Sequence, residues 1–301
     1  MREERGVEGV ISFLGWLVQG CIRLWLCVCG RTARKADAPW LDGPVGPNDR
    51  IGGELYDVVA ARQGLDRDTS GEEVGLVPDW GALAGPTFDP SKLLPEVRDF
   101  YQRTSRYRLD AWSEAKFPSS IFLWILVKTV SRRMDQLNFP VSPLEVSRGM
   151  TSEIVPLREK GMGRIVYTGW FRTVAATGSV IYAGFYTSEK PPLHGSRCVK
   201  VIFPVPRGSA TVLLRPEGDS DGSLRLISSG TGFGGPGFYR MLEIDSERWK
   251  VRYLKTLREY FHVYVDGEKV VRCDHTVTLL GLTVLKLHYK ITPSLAPSAA
   301  A

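Results

Sequence analysis

From Pro156 onward the chain keeps a rhythm that a β-sheet satisfies. Ten short segments follow one another, from "GRIVYTGWFRT" and "SVIYAGFYTSE" to "KVVRCDHTV" and "TVLKLHYKI". They are rich in β-branched and aromatic residues and are parted by turn signals such as "ATGS", "GDSDGS", "DGEK" and "LLGL". No helical pattern intervenes, which predicts an antiparallel meander rather than a parallel sheet with crossovers. About nine or ten strands in so short a stretch predict a closed or nearly closed barrel, because closure removes exposed edges.

Upstream the pattern differs, so the expected class is α+β. Residues 36–53 turn to Pro, Gly and Asp and read as a connector. "GELYDVVAARQGL" has a helical stripe with Gly64 near its stop, and "SKLLPEVRDFYQRTSRYRLDAW" reads as one amphipathic helix. "SSIFLWILVKTVSRRM" holds an apolar run too short to span a bilayer and is expected to be a buried or surface-lying helix. The expected organisation is a hydrophobic segment (1–35), a connector and small helical region (36–150), a β-barrel domain (151–291) and a disordered tail (292–301).

"GVISFLGWLVQGCIRLWLCVCG", residues 9–30, is long enough to cross a membrane, but Gln19 and Arg23 lie near its middle. Insertion, surface association with Trp16 and Trp25 at the headgroups, and burial as an ordinary helix all stay open. Arg31, Arg34 and Lys35 follow it, so an inserted segment would leave the main body on the cytoplasmic side. The leading "MREERGVEG" has no net basic character, which argues against a signal peptide. Five cysteines without a C-x-x-C pair argue for reduced thiols in the cytoplasm and against a disulfide framework or zinc. The net charge of +6 comes from residues 151–301, where 20 Lys and Arg face 13 Asp and Glu.

In length and strand rhythm the C-terminal half resembles the calycin superfamily, the lipocalin-like β-barrels that hold apolar ligands. The resemblance implies an internal cavity. It carries over no binding residues, since "TGWF" sets Gly169 directly beside Trp170 where lipocalins open with G-x-W. The leading expectation is a non-enzymatic binding protein for an apolar or amphipathic ligand, with no cofactor. Candidate lining residues are the aromatic Tyr167, Trp170, Tyr182, Phe185, Phe233, Phe238 and Tyr239. A membrane-associated scaffold is a further alternative.

"SSGTGFGGPGFYR" matches G-x-G-x-x-G twice, yet "PGFYRMLEI" continues as a strand and no βαβ unit surrounds it, so its glycines are expected to serve a turn. An enzymatic alternative uses His262, His275 or His288. If Gly267–Glu268 and Leu280–Gly281 are two-residue loops, His262, Cys273 and His288 form one cross-strand row with metal-ligand character. If Asp266–Gly267 is the loop, His262 faces Val271 and the row breaks. Alternation sets Asp274 and His275 on opposite faces, and puts His288 with Lys286 and Lys290 on a solvent face. Around "ERWKVRY", Trp249, Val251 and Tyr253 should point inward and Lys250 and Arg252 outward. No nucleic-acid module accompanies these cations, and no nucleic-acid partner is expected. No G-x-S-x-G, H-E-x-x-H, P-loop or EF-hand spacing occurs.

Overall fold

The alternation read along the chain is realised as a large antiparallel sheet in the computed structural model, which describes residues 20–47, 52–70, 73–114, 150–175, 178 and 180–294. A helix over residues 20–29 (α1) leads into β1 (Arg31–Arg34). Helix α2 (Leu55–Gln63) ends where Gly64 takes a left-handed conformation, φ 66°, as its sequence predicts. Next come β2 (Leu65–Arg67), α3 (Pro95–Gln102), β3 (Tyr107–Glu114) and β4 (Met150–Glu159). The ten segments read in the sequence follow: β5 (Ile165–Val174), β6 (Val180–Glu189), β7 (Cys198–Val205), β8 (Gly208–Gly218), β9 (Leu224–Ile227), β10 (Gly237–Glu243), β11 (Arg248–Tyr253), β12 (Leu257–Val265), β13 (Val271–Leu279) and β14 (Leu282–Pro293).

The strands hydrogen-bond in the order β2-β4-β5-β6-β7-β8-β9-β12-β13-β14-β3. The meander breaks at one place. The first half of β8 pairs with β10, Leu213 opposite Gly237, and its second half pairs with β9, Arg215 opposite Ile227. Strand β10 then pairs with β11, and β11 with β1. The expected barrel closure is therefore corrected. The sheet forks along β8, and among the described residues no ladder joins β3 to β4. The row ends on β2 and β4 at one side and on β3 at the other, while the β10–β11 hairpin turns aside to β1.

A single long helix was expected over "SKLLPEVRDFYQRTSRYRLDAW", and this too is corrected. Helix α3 stops at Gln102, and the Thr104 hydroxyl donates to the Phe100 carbonyl at 2.7 Å while accepting from the Leu76 amide at 3.2 Å. The following residues alternate and pair with β14 as β3, Leu109 opposite Ile291. The helix expected over 119–134 and the first half of the 9–30 segment, residues 9–19, lie outside the described residues. Among those described, no helix is long and apolar enough to cross a membrane.

The sheet is curled, and three apolar clusters use its two faces. On the inner face, Trp170, Val201, Leu214, Leu226, Val263 and Ile291 pack with Leu76, Phe100 and Tyr101 from the α3 region. On the outer face, Leu55, Tyr56 and Val59 of α2 cover Val155, Leu157 and Phe185. Further along, Trp40 and Leu41 cover Tyr239, Met241 and Trp249.

Candidate functional site

The inner face encloses a cavity of 410 Å³. That volume falls in the range of small-molecule sites, about 300–1,000 Å³. One end is closed by Phe100 and Tyr101 of α3, which is tied to the β8–β9 turn by the Leu94 amide donating to the Gly222 carbonyl at 2.9 Å. The other end is lined by Leu257, Leu279 and Val284. There the β13–β14 turn leaves Leu280 and Leu282 exposed.

The walls are apolar except for a few groups that strand parity turns inward. On β5, Arg172 shares a face with Trp170 and Val174 and is 3% exposed. Its guanidinium lies over the Trp170 ring at 5.0 Å and the Tyr289 ring at 5.6 Å, so β5 and β14, far apart in the strand order, meet across the cavity. On β12, Glu259 shares its face with Phe261 and Val263. On β13, His275 shares its face with Cys273 and Val277. The register sets Phe261 opposite His275, whose rings stack at 3.8 Å. The Glu259 Oε1 and His275 Nε2 atoms are 3.8 Å apart, too far for a hydrogen bond. Neither imidazole nitrogen has a hydrogen-bond partner among the described residues.

Burial sets the charge state of this pair. It pushes the Glu259 carboxyl up to about 8 and the His275 imidazole down to about 3, since each charged form would lose its water. At neutral pH the pair holds one proton and no net charge. Burial also raises the phenols of Tyr101, Tyr182 and Tyr186, pushes that of Tyr289 up to about 12, and raises the Cys273 thiol. Neutral hydroxyls and an inert thiol therefore line the cavity at physiological pH.

The residues singled out from the sequence divide between faces. Trp170, Tyr182 and Phe238 line the cavity. Tyr167 and Phe185 meet edge to face at 5.9 Å on the opposite face, where Phe185 meets Tyr56 of α2. Phe233 and Tyr239 pack edge-on against Trp40 outside the cavity. Parity explains the division: Gly169 and Phe171 alternate with Trp170 and Arg172, and Tyr167 falls with the outward set.

The His262–Cys273–His288 row is corrected. The first hairpin uses a three-residue loop, Gly267 to Lys269, in which Lys269 has φ 59° and the Asp266 carboxylate accepts from the Glu268 and Val270 amides, each at 2.9 Å. That register puts His262 opposite Asp274. The second hairpin does turn at Leu280–Gly281, both at positive φ, but a bulge at Val277/Thr278 leaves Val284 unpaired and sets Asp274 opposite His288. Cys273 faces the cavity, while His262 and His288 flank Asp274 on the other face. His288 Nδ1 lies 2.7 Å from Asp274 Oδ1, and His262 Nε2 lies 3.2 Å from the Ser223 hydroxyl. No group of three metal-ligating side chains occurs among the described residues.

The glycine-rich loop spans the fork between β9 and β10. The Gly234 amide donates to the Tyr239 hydroxyl at 3.0 Å, and that hydroxyl donates to the Gly235 carbonyl at 2.6 Å. Gly232, Gly234 and Gly237 take positive φ of 148°, 97° and 146°.

Sequence reasoning passed over Arg172 and Glu259. The available signal was a charged residue on the same parity as Trp170 and Val174, or as Phe261 and Val263. Comparison with family models, curated proteins and solved structures returned no match.

Proposed function

We propose that this chain binds an apolar or amphipathic small molecule in its cavity and performs no chemistry on it. The observation that carries the reading is the 410 Å³ apolar space walled by both arms of the forked sheet. It agrees with the container that the calycin-like strand rhythm implies, with the curled sheet serving as a barrel that a seam leaves incomplete. Exposed Leu280 and Leu282 beside the end away from α3 supply an apolar approach for such a ligand. Organic extraction of the purified protein followed by mass spectrometry tests the reading. A co-purifying amphiphile that raises the melting temperature of extracted protein supports it; protein that yields nothing and whose melting no amphiphile shifts overturns it.

A membrane surface is the proposed source of the ligand. Helix α1 exposes Leu24, Trp25 and Val28, and Arg252 lies over the Trp25 ring at 5.7 Å, placing a cation beside the apolar patch. Co-sedimentation with anionic vesicles, lost in Trp25→Ala, is the expected result.

A further inference from the structure

The proposed cavity contains a buried cation that has no counterion among the described residues. Arg172 is 3% exposed, and no described carboxylate lies within ion-pair distance of it. Its Nε has no hydrogen-bond partner among the described residues. Its Nη2 donates at 3.5 Å to the Met150 thioether, a weak acceptor, and its other polar neighbour is the neutral Tyr289 hydroxyl. The Trp170 and Tyr289 faces attract the guanidinium, but such contacts fall short of the water it has given up.

Nor do the other ionisable groups in the cavity neutralise it. Glu259 on β12 is held protonated by burial, or shares its proton with His275 on β13, so the pair adds no net charge at pH 7. Cys273 and the tyrosines at 101, 182, 186 and 289 stay neutral there for the same reason. The cavity interior therefore carries one positive charge. On β14 the Tyr289 ring under Arg172 lies two residues from Ile291, which pairs with Leu109. A planar guanidinium with unused donors, aimed into an apolar space, matches two oxygens of one anionic group.

We propose that the ligand is an amphipathic anion whose oxyanion head sits on Arg172 while its apolar body lies against cavity walls such as Leu214, Leu226 and Phe238. The inference rests on the cavity-binding reading and adds the sign and position of the ligand's charge. Carboxylate, sulfate and phosphate-ester heads share the required chemistry.

The test is calorimetry on extracted full-length protein at pH 7 with a matched series: dodecanoate, dodecyl sulfate, dodecyl phosphate, dodecanol and dodecyltrimethylammonium. At least one anion should bind roughly 10- to 100-fold tighter than dodecanol, the range of a charge-assisted hydrogen bond. The cation should bind weakest. The strongest of the three anions identifies the head group. Arg172→Met should reduce the preference for anion over dodecanol to about twofold or less; Arg172→Lys should fall between. Dodecanol binding as tightly as every anion to the unmodified protein overturns this inference and leaves the cavity reading intact. An anion preference that survives in folded Arg172→Met overturns it as well. Failure of every member to bind the unmodified protein overturns both, whether or not the variants fold.

Discussion

Replacing Glu259 with glutamine should abolish a loss of stability between pH 6.5 and pH 8. Glu259 and His275 have side chains only 12% and 11% exposed. In the folded protein they hold one proton between them from about pH 3 to about pH 8, whichever of the two carries it. Unfolded, with ordinary values of 4.5 and 6.5, they hold two protons below pH 4.5, one between 4.5 and 6.5, and none above. Stability rises with pH where the unfolded state binds more protons and falls where it binds fewer. The pair therefore destabilises the fold on acidification below pH 4.5 and is neutral from 4.5 to 6.5. From 6.5 to 8 it lowers stability by about 1.36 kcal/mol per pH unit, roughly 2 kcal/mol in all. Glutamine cannot ionise, so Glu259→Gln should lack the last decline. Urea and thermal melts of both proteins across this range read the difference directly, with a relative melting shift of at most roughly 4–8 °C. Parallel curves from pH 6.5 to 8 would refute the reasoning, because the folded carboxyl would then ionise as freely as the unfolded one.

Other substitutions probe the walls and the fork. Phe100→Ala removes a 3%-exposed ring from the plugged end and should cost about 3–5 kcal/mol in urea unfolding while admitting a longer ligand. Tyr239→Phe strips the hydroxyl that ties Gly234 and Gly235 and should cost about 1–3 kcal/mol, with faster limited proteolysis at residues 230–236. Gly237→Ala should melt well below Gly178→Ala. Both positions have positive φ, but only at Gly237 would the added methyl overlap the Tyr253 ring.

What could be read from the sequence was what neighbouring residues decide. Helix α2 ends on its glycine, the ten later strands fall where turn residues bound them, and Asp274 and His275 point to opposite faces because consecutive strand residues must. Trp249 and Val251 are buried, and Arg252 is exposed beside them. Strands β1 and β2 escaped notice because "RTAR" and "LDR" carry no apolar alternation and become strands only by finding Val251 and Leu157 far along the chain. The histidine row failed on register. Lys269 in a left-handed conformation and the unpaired Val284 each shift pairing, and neither residue type announces it. The charged cavity residues were hidden for a related reason. A single Arg or Glu among aromatics looks the same whether its face meets water or the interior, and only the curl of the sheet decides that.

The fork at β8 has a mechanical consequence. One edge of β8 carries β7, and its other edge carries β10 along the first half and β9 along the second. Strand β8 is thus a spine, and among the described residues no ladder joins β3 to β4 at the other side of the sheet. Across that gap the described contact between β5 and β14 is made by side chains, with the Arg172 guanidinium over the Tyr289 ring, so a side-chain cation rather than a backbone ladder ties the two strands.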